Sequence, residues 1–134
     1  MTMMRTVKRL LRNDDGAAAV EFAIYSTAFF AMLFGGIYAS ILGYTSSSLH
    51  AAVESAARCR AMGTTCTDAA TTQTFAAAKF HNLTGNTATF TSTTATCGNQ
   101  VTATMNYDLK FIISQRTVAL SAAACFPVQS AAGT

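Results

Sequence analysis

Three hydrophobic patterns follow one another along the chain. From Phe22 to Tyr44 the run FAIYSTAFFAMLFGGIYASILGY holds 23 residues without a charged side chain. A helix of that length spans about 35 Å, enough to cross a bilayer core of roughly 30 Å with some tilt. From Thr45 to Met62 the pattern turns amphipathic. Leu49, Ala52, Val53, Ala56 and Ala57 recur at i, i+3, i+4, i+7 and i+8, and neither Pro nor Gly interrupts them. Gly63 is the expected residue just past the helix end, and Arg58 and Arg60 stand in the last turn, where the helix dipole favours cations. The two runs predict one helix from about Ala17 to Met62, close to 70 Å long. Gly35 and Gly36 are its weak point, since each glycine costs up to about 1 kcal/mol of helix propensity.

After Gly63 the period changes. Residues 64–67 read as a loop, and 68–80 (DAATTQTFAAAKF) as a short helix with Asp68 as its N-cap. HNLTGN reads as a turn, the Thr-rich stretch 87–96 as a strand, and CGNQ as the hairpin turn after it. Next comes a period of two: Val101, Ala103, Met105, Tyr107, Leu109 and Phe111 alternate with Thr102, Thr104, Asn106, Asp108 and Lys110. That is the signature of a half-buried strand. A third strand, TVALSAAACF, ends at Pro127. The expected class is α+β: a long N-terminal transmembrane helix, then a small antiparallel β-meander with a short helix. The apolar face of the meander is expected to lie on the Leu49–Val53–Ala57 stripe. Three segments result, a leader over 1–16, the helix over 17–62 and an outer α+β domain over 63–134.

Composition narrows the class. Of 134 residues 51% are apolar and only 11% charged, against about a quarter charged in an average soluble domain. Small domains bury the smallest fraction of their surface, so such a chain suits water only if its apolar residues are segregated, as they are here. A buried helix of a soluble domain is excluded because the remaining chain has too little apolar material to wrap it. A secretory signal has a shorter apolar region, of roughly 7–15 residues; the small residues around Ala39 and Ser40 leave that reading as a trailing one. The net charge of +3 is concentrated at the start, where Arg5, Lys8, Arg9 and Arg12 stand against Asp14 and Asp15. Later basic residues are scattered, which argues against nucleic-acid binding. Basic residues before the span place the N-terminus in the cytoplasm and the remainder outside.

Cys59, Cys66, Cys97 and Cys125 all fall on that outer side. No C-x-x-C pair suggests zinc, and an even number in an oxidising compartment fits disulfides. Three connectivities are possible. Cys59–Cys66, closing the turn after the long helix, and Cys97–Cys125, tying the first strand to the last, are preferred. Cys97 is expected on the strand face opposite Phe90, and Cys125 on the face opposite Val118 and Leu120.

The segment just before the span reads Gly16-Ala17-Ala18-Ala19-Val20-Glu21-Phe22. A carboxylate at the edge of an apolar span is unfavourable unless it is paired or reaches the interface. If the chain were cut after Gly16, the new α-amino group on Ala17 would lie one helical turn from Glu21, and the first-turn dipole would also favour the carboxylate. In an assembly the carboxylate could pair with the amino group of a neighbouring subunit. The basic leader, Gly16, the acid five positions on and the Ala-rich apolar helix resemble a type IV prepilin. GAAAVEFA, continuing to the amphipathic AAVESAARCRA, is similar to the TadE-like pseudopilins of tight-adherence (Flp) pili. The resemblance implies cleavage between Gly16 and Ala17 by an aspartic prepilin peptidase at the inner membrane. It further implies a minor pilin that acts with other major and minor pilins and an inner-membrane assembly platform, in pilus assembly, adhesion or surface attachment. The chain would be a single-pass inner-membrane protein with a periplasmic C-terminal domain, later delivered to the pilus or cell surface. Ala28, Ala31, Gly35 and Ala39 form a small-residue line suited to close helix packing, and Glu21 would set subunit register. Asp14 and Asp15 depart from the family's leader by placing acid beside the cut.

No catalytic constellation can be assembled. His50 and His81 stand alone, no G-x-S-x-G or phosphate loop is present, and Asp68 and Asp108 are isolated. Asn82-Leu83-Thr84 fits the glycosylation sequon, a triplet that also arises by chance. The chain reads as a non-enzyme that needs no cofactor and no metal, with membrane lipid among its contacts. The alternative is a single-span, membrane-anchored envelope protein whose outer domain binds a partner, for which Gly16 and Glu21 would have no use.

Overall fold

The computed structural model describes residues 16–110 and 115–128. Helix α1 spans Ala17–Met62 and helix α2 spans Ala69–Lys79. Strands β1 (Thr89–Ala95), β2 (Gly98–Lys110) and β3 (Gln115–Phe126) form one antiparallel sheet in the order β1-β2-β3. This is the α+β architecture the pattern predicts. Residues 1–15 of the expected leader, and Phe111, lie outside the described residues.

Two compact units share α1, one running up to Ser40 and the other beginning at Ile41. In the first, the described side chains are exposed except for half-buried Ser26. In the second, the helical stripe is buried: Leu49, Ala52, Val53, Ala56 and Ala57 join Phe90, Val101, Ala103, Met105, Tyr107 and Ala122 in one hydrophobic core. The difference follows from patterning. Residues 22–44 are apolar all round, whereas 45–62 gather most of their apolar side chains on the buried stripe, leaving Ala51 and Met62 exposed. On β2 the alternation holds, with Val101, Ala103, Met105 and Tyr107 buried between more exposed neighbours. Leu49, Val53 and Val101 are essentially inaccessible, each worth about 1.5–3 kcal/mol relative to exposure. Ser92 follows Phe90 onto the same buried face, and its hydroxyl finds no hydrogen-bond partner.

Local chemistry sets the element ends. Gly63 takes a left-handed φ of 65°, and its N–H donates to the Cys59 carbonyl at 3.2 Å, closing α1. Asp68 caps α2: its Oδ1 accepts from the Thr71 N–H at 2.7 Å, while the Asp68 N–H donates to Thr71 Oγ1 at 3.2 Å. The cysteines pair as Cys59–Cys66, across the end of α1, and Cys97–Cys125, across the sheet.

The first hairpin departs from the expected CGNQ turn. Thr96 and Cys97 form the turn, and Gly98 already belongs to β2, paired with Ala95. The shift has a physical cause: Gly98 takes a φ of 119°, which a residue with a β-carbon rarely adopts, so the chain reverses before it. Cys97 therefore sits in the turn and not on a strand face opposite Phe90.

α2 runs back along α1. Near its start, Arg60 Nη1 lies 3.5 Å from Thr72 Oγ1; past its end, the His81 N–H donates to Ser48 Oγ at 2.9 Å. The opposite end of the unit holds the hairpin turn and Phe126, whose ring lies under the Arg58 guanidinium at 5.0 Å.

Candidate functional site

Gly16 precedes the first residue of α1, so the Gly16–Ala17 bond stands at the helix start. Both residues are exposed, and a β-carbon built on Gly16 would meet nothing within 4 Å beyond its own stretch of chain. Glu21 stands one turn into the helix, exposed, and among the described residues no side chain pairs with it. A carboxylate at i+4 from a helix's first residue is within reach of groups at that end.

Beyond Glu21 the helix presents large apolar side chains on all sides. Phe22 is 74% exposed and Met32 82%, which in water would be a severe penalty and in lipid or among other helices is none. Among the described residues this is the one helix long and apolar enough to cross a membrane, and none of its most apolar stretch is buried. It fits a single-pass membrane anchor. Ala28, Ala31, Gly35 and Ala39 fall within about 80° of one another around the helix axis. All four are exposed, and a β-carbon built on Gly35 would meet nothing within 4 Å beyond the helix's own adjacent backbone. The helix runs through Gly35 and Gly36 without a break.

Sequence reasoning missed how this stretch handles its hydroxyls. Ser26 Oγ donates to the Ala23 carbonyl at 3.1 Å, Thr27 Oγ1 to Ile24 at 2.7 Å and Ser40 Oγ to Gly36 at 2.8 Å. Each bond is local, three or four residues back along the helix. The signal is legible in principle, because Ser or Thr inside an otherwise apolar helix has an acceptor at that offset by construction.

In the second unit, His50 and His81 are exposed, and no group of three or more His, Cys, Asp or Glu side chains converges among the described residues. A groove of about 340 Å³ between Asn86, Thr87, Thr89, Thr104, Met105 and Asn106 holds no charged side chain. The sequon asparagine is engaged structurally. Asn82 Oδ1 accepts from the Thr84 and Gly85 N–H groups at 3.2 and 2.7 Å, and its Nδ2 donates to the Asn86 carbonyl. That side chain builds the loop between α2 and β1, with Gly85 supplying a φ of 71°.

Residues 16–58 match the family model described as TadE-like protein. The match begins at Gly16, runs through the exposed apolar stretch and the buried stripe, and ends at Arg58, before the end of α1. Neither a curated protein nor a solved structure matches the chain.

Proposed function

We propose that this chain is a minor pilin of a tight-adherence pilus. On this reading prepilin peptidase removes residues 1–16 at the inner membrane. The mature chain starts at Ala17, stays anchored by α1 with its sheet in the periplasm, and then leaves the bilayer to pack beside other pilins. The observation that carries the reading is a coincidence of position. The TadE-like match starts at Gly16, α1 starts at Ala17, and an unpaired Glu21 stands one turn further on, directly before the lipid-compatible stretch. A plain anchor has no use for this arrangement.

The chemistry of the cut explains the acid. Cleavage creates an α-amino group, with an ordinary pKa near 8, at the first residue of α1. Its charge and the carboxylate of Glu21 compensate each other, within one chain or between neighbours. A mis-registered neighbour leaves the carboxylate without a partner in apolar surroundings, which is strongly unfavourable. The line Ala28, Ala31, Gly35 and Ala39 allows helices to approach closely, as small residues do where side-chain packing replaces the hydrophobic effect.

The test is the N-terminus and intact mass of the protein in membranes of cells carrying the pilus machinery, with and without the peptidase. A chain starting at Ala17 only when the peptidase is present supports processing. Retention of the leader points to a static anchor whose outer unit binds a partner, and a new end near residue 40 to a secreted protein. In the processed case, Glu21→Ala should insert normally yet be absent from pili, and normal piliation by that variant would remove the register role.

A further inference from the structure

The sheet has two edges, and the fold treats them differently. β1 stands at one edge, with α2 lying against it. β3 stands at the other, and among the described residues only β2 runs close alongside it. The pairing of β3 with β2 is continuous from Gln115 to Phe126, without a bulge. From Thr117 to Phe126 the strand holds neither a charge nor a proline. Edge strands that stay unpaired are blunted by charges, prolines, bulges or a covering helix. Along this run β3 carries none of these devices, so its free N–H and C=O groups form a template for another strand.

The strand is complementary to itself. Val118 and Leu120 are half-buried on the face of β3 that also carries Ala122 and Ala124. Let two copies of β3 run antiparallel with Ser121 opposite Ser121 of the partner subunit. Val118 then comes opposite the partner's Ala124, and Leu120 opposite the partner's Ala122. Each large side chain meets a small one, and each copy covers what the other leaves half-exposed. A slip of one residue would turn core face against outer face. The two nearest registers that keep the core faces together set Leu120 against Leu120 of the partner subunit, or Val118 against the partner's Phe126. Charge agrees with the antiparallel sense. Arg116, the one charged residue of β3, goes to opposite ends of the shared ladder, whereas a parallel arrangement would set the two arginines side by side.

We propose that two copies of this chain pair through β3, joining their three-stranded sheets into one continuous antiparallel sheet with a two-fold axis at Ser121. The pairing uses the outer unit alone and does not depend on cleavage at Gly16.

The four native cysteines are joined in two disulfides, so a cysteine placed at the axis is the sole thiol. Residues directly opposite in an antiparallel pair have Cα atoms about 4.5–5.5 Å apart, within disulfide reach. Full-length Ser121→Cys, in membranes of cells carrying the pilus machinery, should form a disulfide-linked species of twice the monomer mass. Thr91→Cys, exposed on the same outer face but on β1, should not. Ala119→Cys and Ala123→Cys should link to each other when produced together and not when produced singly, which fixes the register. Full-length Ser121→Lys and Ser121→Asp, purified separately in detergent micelles, should each dimerise at least about tenfold more weakly than the parent, because like charges then stand directly opposite. Mixing the two should restore a dimer, a rescue that a folding defect would not show. Linkage of Ser121→Cys to a chain of another mass assigns the edge to a different subunit and overturns self-pairing, as do equal linkage at Thr91→Cys and no linkage at all. A micellar dimer untouched by Ser121→Lys is held by another surface and overturns it as well.

Discussion

Gly98 lies against the backbone of Phe126 so closely that a β-carbon on it would sit 2.2 Å from the Phe126 carbonyl oxygen and 2.6 Å from the Pro127 Cα. Both obstacles are backbone, so no rotamer change relieves them. The same glycine holds the positive φ that ends the first hairpin. Gly98→Ala should therefore destabilise the outer unit by about 2–4 kcal/mol, the range for a strained backbone combined with overpacking. Thermal unfolding followed by near-ultraviolet circular dichroism checks this; a midpoint within a degree of the parent would contradict the close approach.

The two disulfides close loops of different size, with sequence separations of 7 for Cys59–Cys66 and 28 for Cys97–Cys125. In the chain-entropy description these correspond to roughly 2.5 and 3.5 kcal/mol. Serine pairs at 97 and 125 should cost about 1 kcal/mol more than serine pairs at 59 and 66. The comparison is made by unfolding the two double variants side by side under identical conditions, and the reverse order would show that the short loop contributes by other means.

Ser92 is a buried hydroxyl without a partner on the core face of β1. Ser92→Ala removes the desolvation cost and loses little packing, so it should stabilise the outer unit by about 1 kcal/mol. A loss of stability would mean that the hydroxyl is bonded in solution, to water for instance.

The Thr71 N–H and hydroxyl both donate to the Asp68 carboxylate, which holds its pKa below the ordinary value of 3.8. A group whose pKa is lower folded than unfolded stabilises the fold above its unfolded pKa and loses that contribution as pH falls through its folded pKa. Asp68→Ala should thus lower the melting temperature by on the order of a few degrees near neutral pH. The difference from the parent should shrink at pH values well under 3.8. Melting curves at the two pH values decide it, and a difference independent of pH would leave the carboxylate charge without a part in capping.

Much of this fold is legible because its signals are periodic. The stripe Leu49–Ala57 and the alternation Val101–Tyr107 each report one buried face, and the structure joins those faces in one core. Features of single residues were harder to read. The hairpin turn falls at Thr96 and Cys97, and Gly98 beside it both takes a positive φ and lies against the backbone of Phe126, a tertiary contact with no local trace. Asp68 is visible as a cap, but the reciprocal bond from its N–H to the Thr71 hydroxyl is not, since the usual partner at that position is Glu or Gln. The proposed cleavage and register roles of Gly16 and Glu21 are read from motif and resemblance. The structure adds their placement at the helix start and their exposure.

The local bonds of Ser26, Thr27 and Ser40 make the apolar half of α1 portable. Every serine and threonine hydroxyl between Phe22 and Tyr44 carries its acceptor with it, so these side chains owe no hydrogen bond to whatever surrounds the helix. Exchanging a lipid neighbour for a helical one leaves that balance untouched. On the proposed pilin reading, the selection of a neighbour then falls to shape along the small-residue line and to the charge at Glu21.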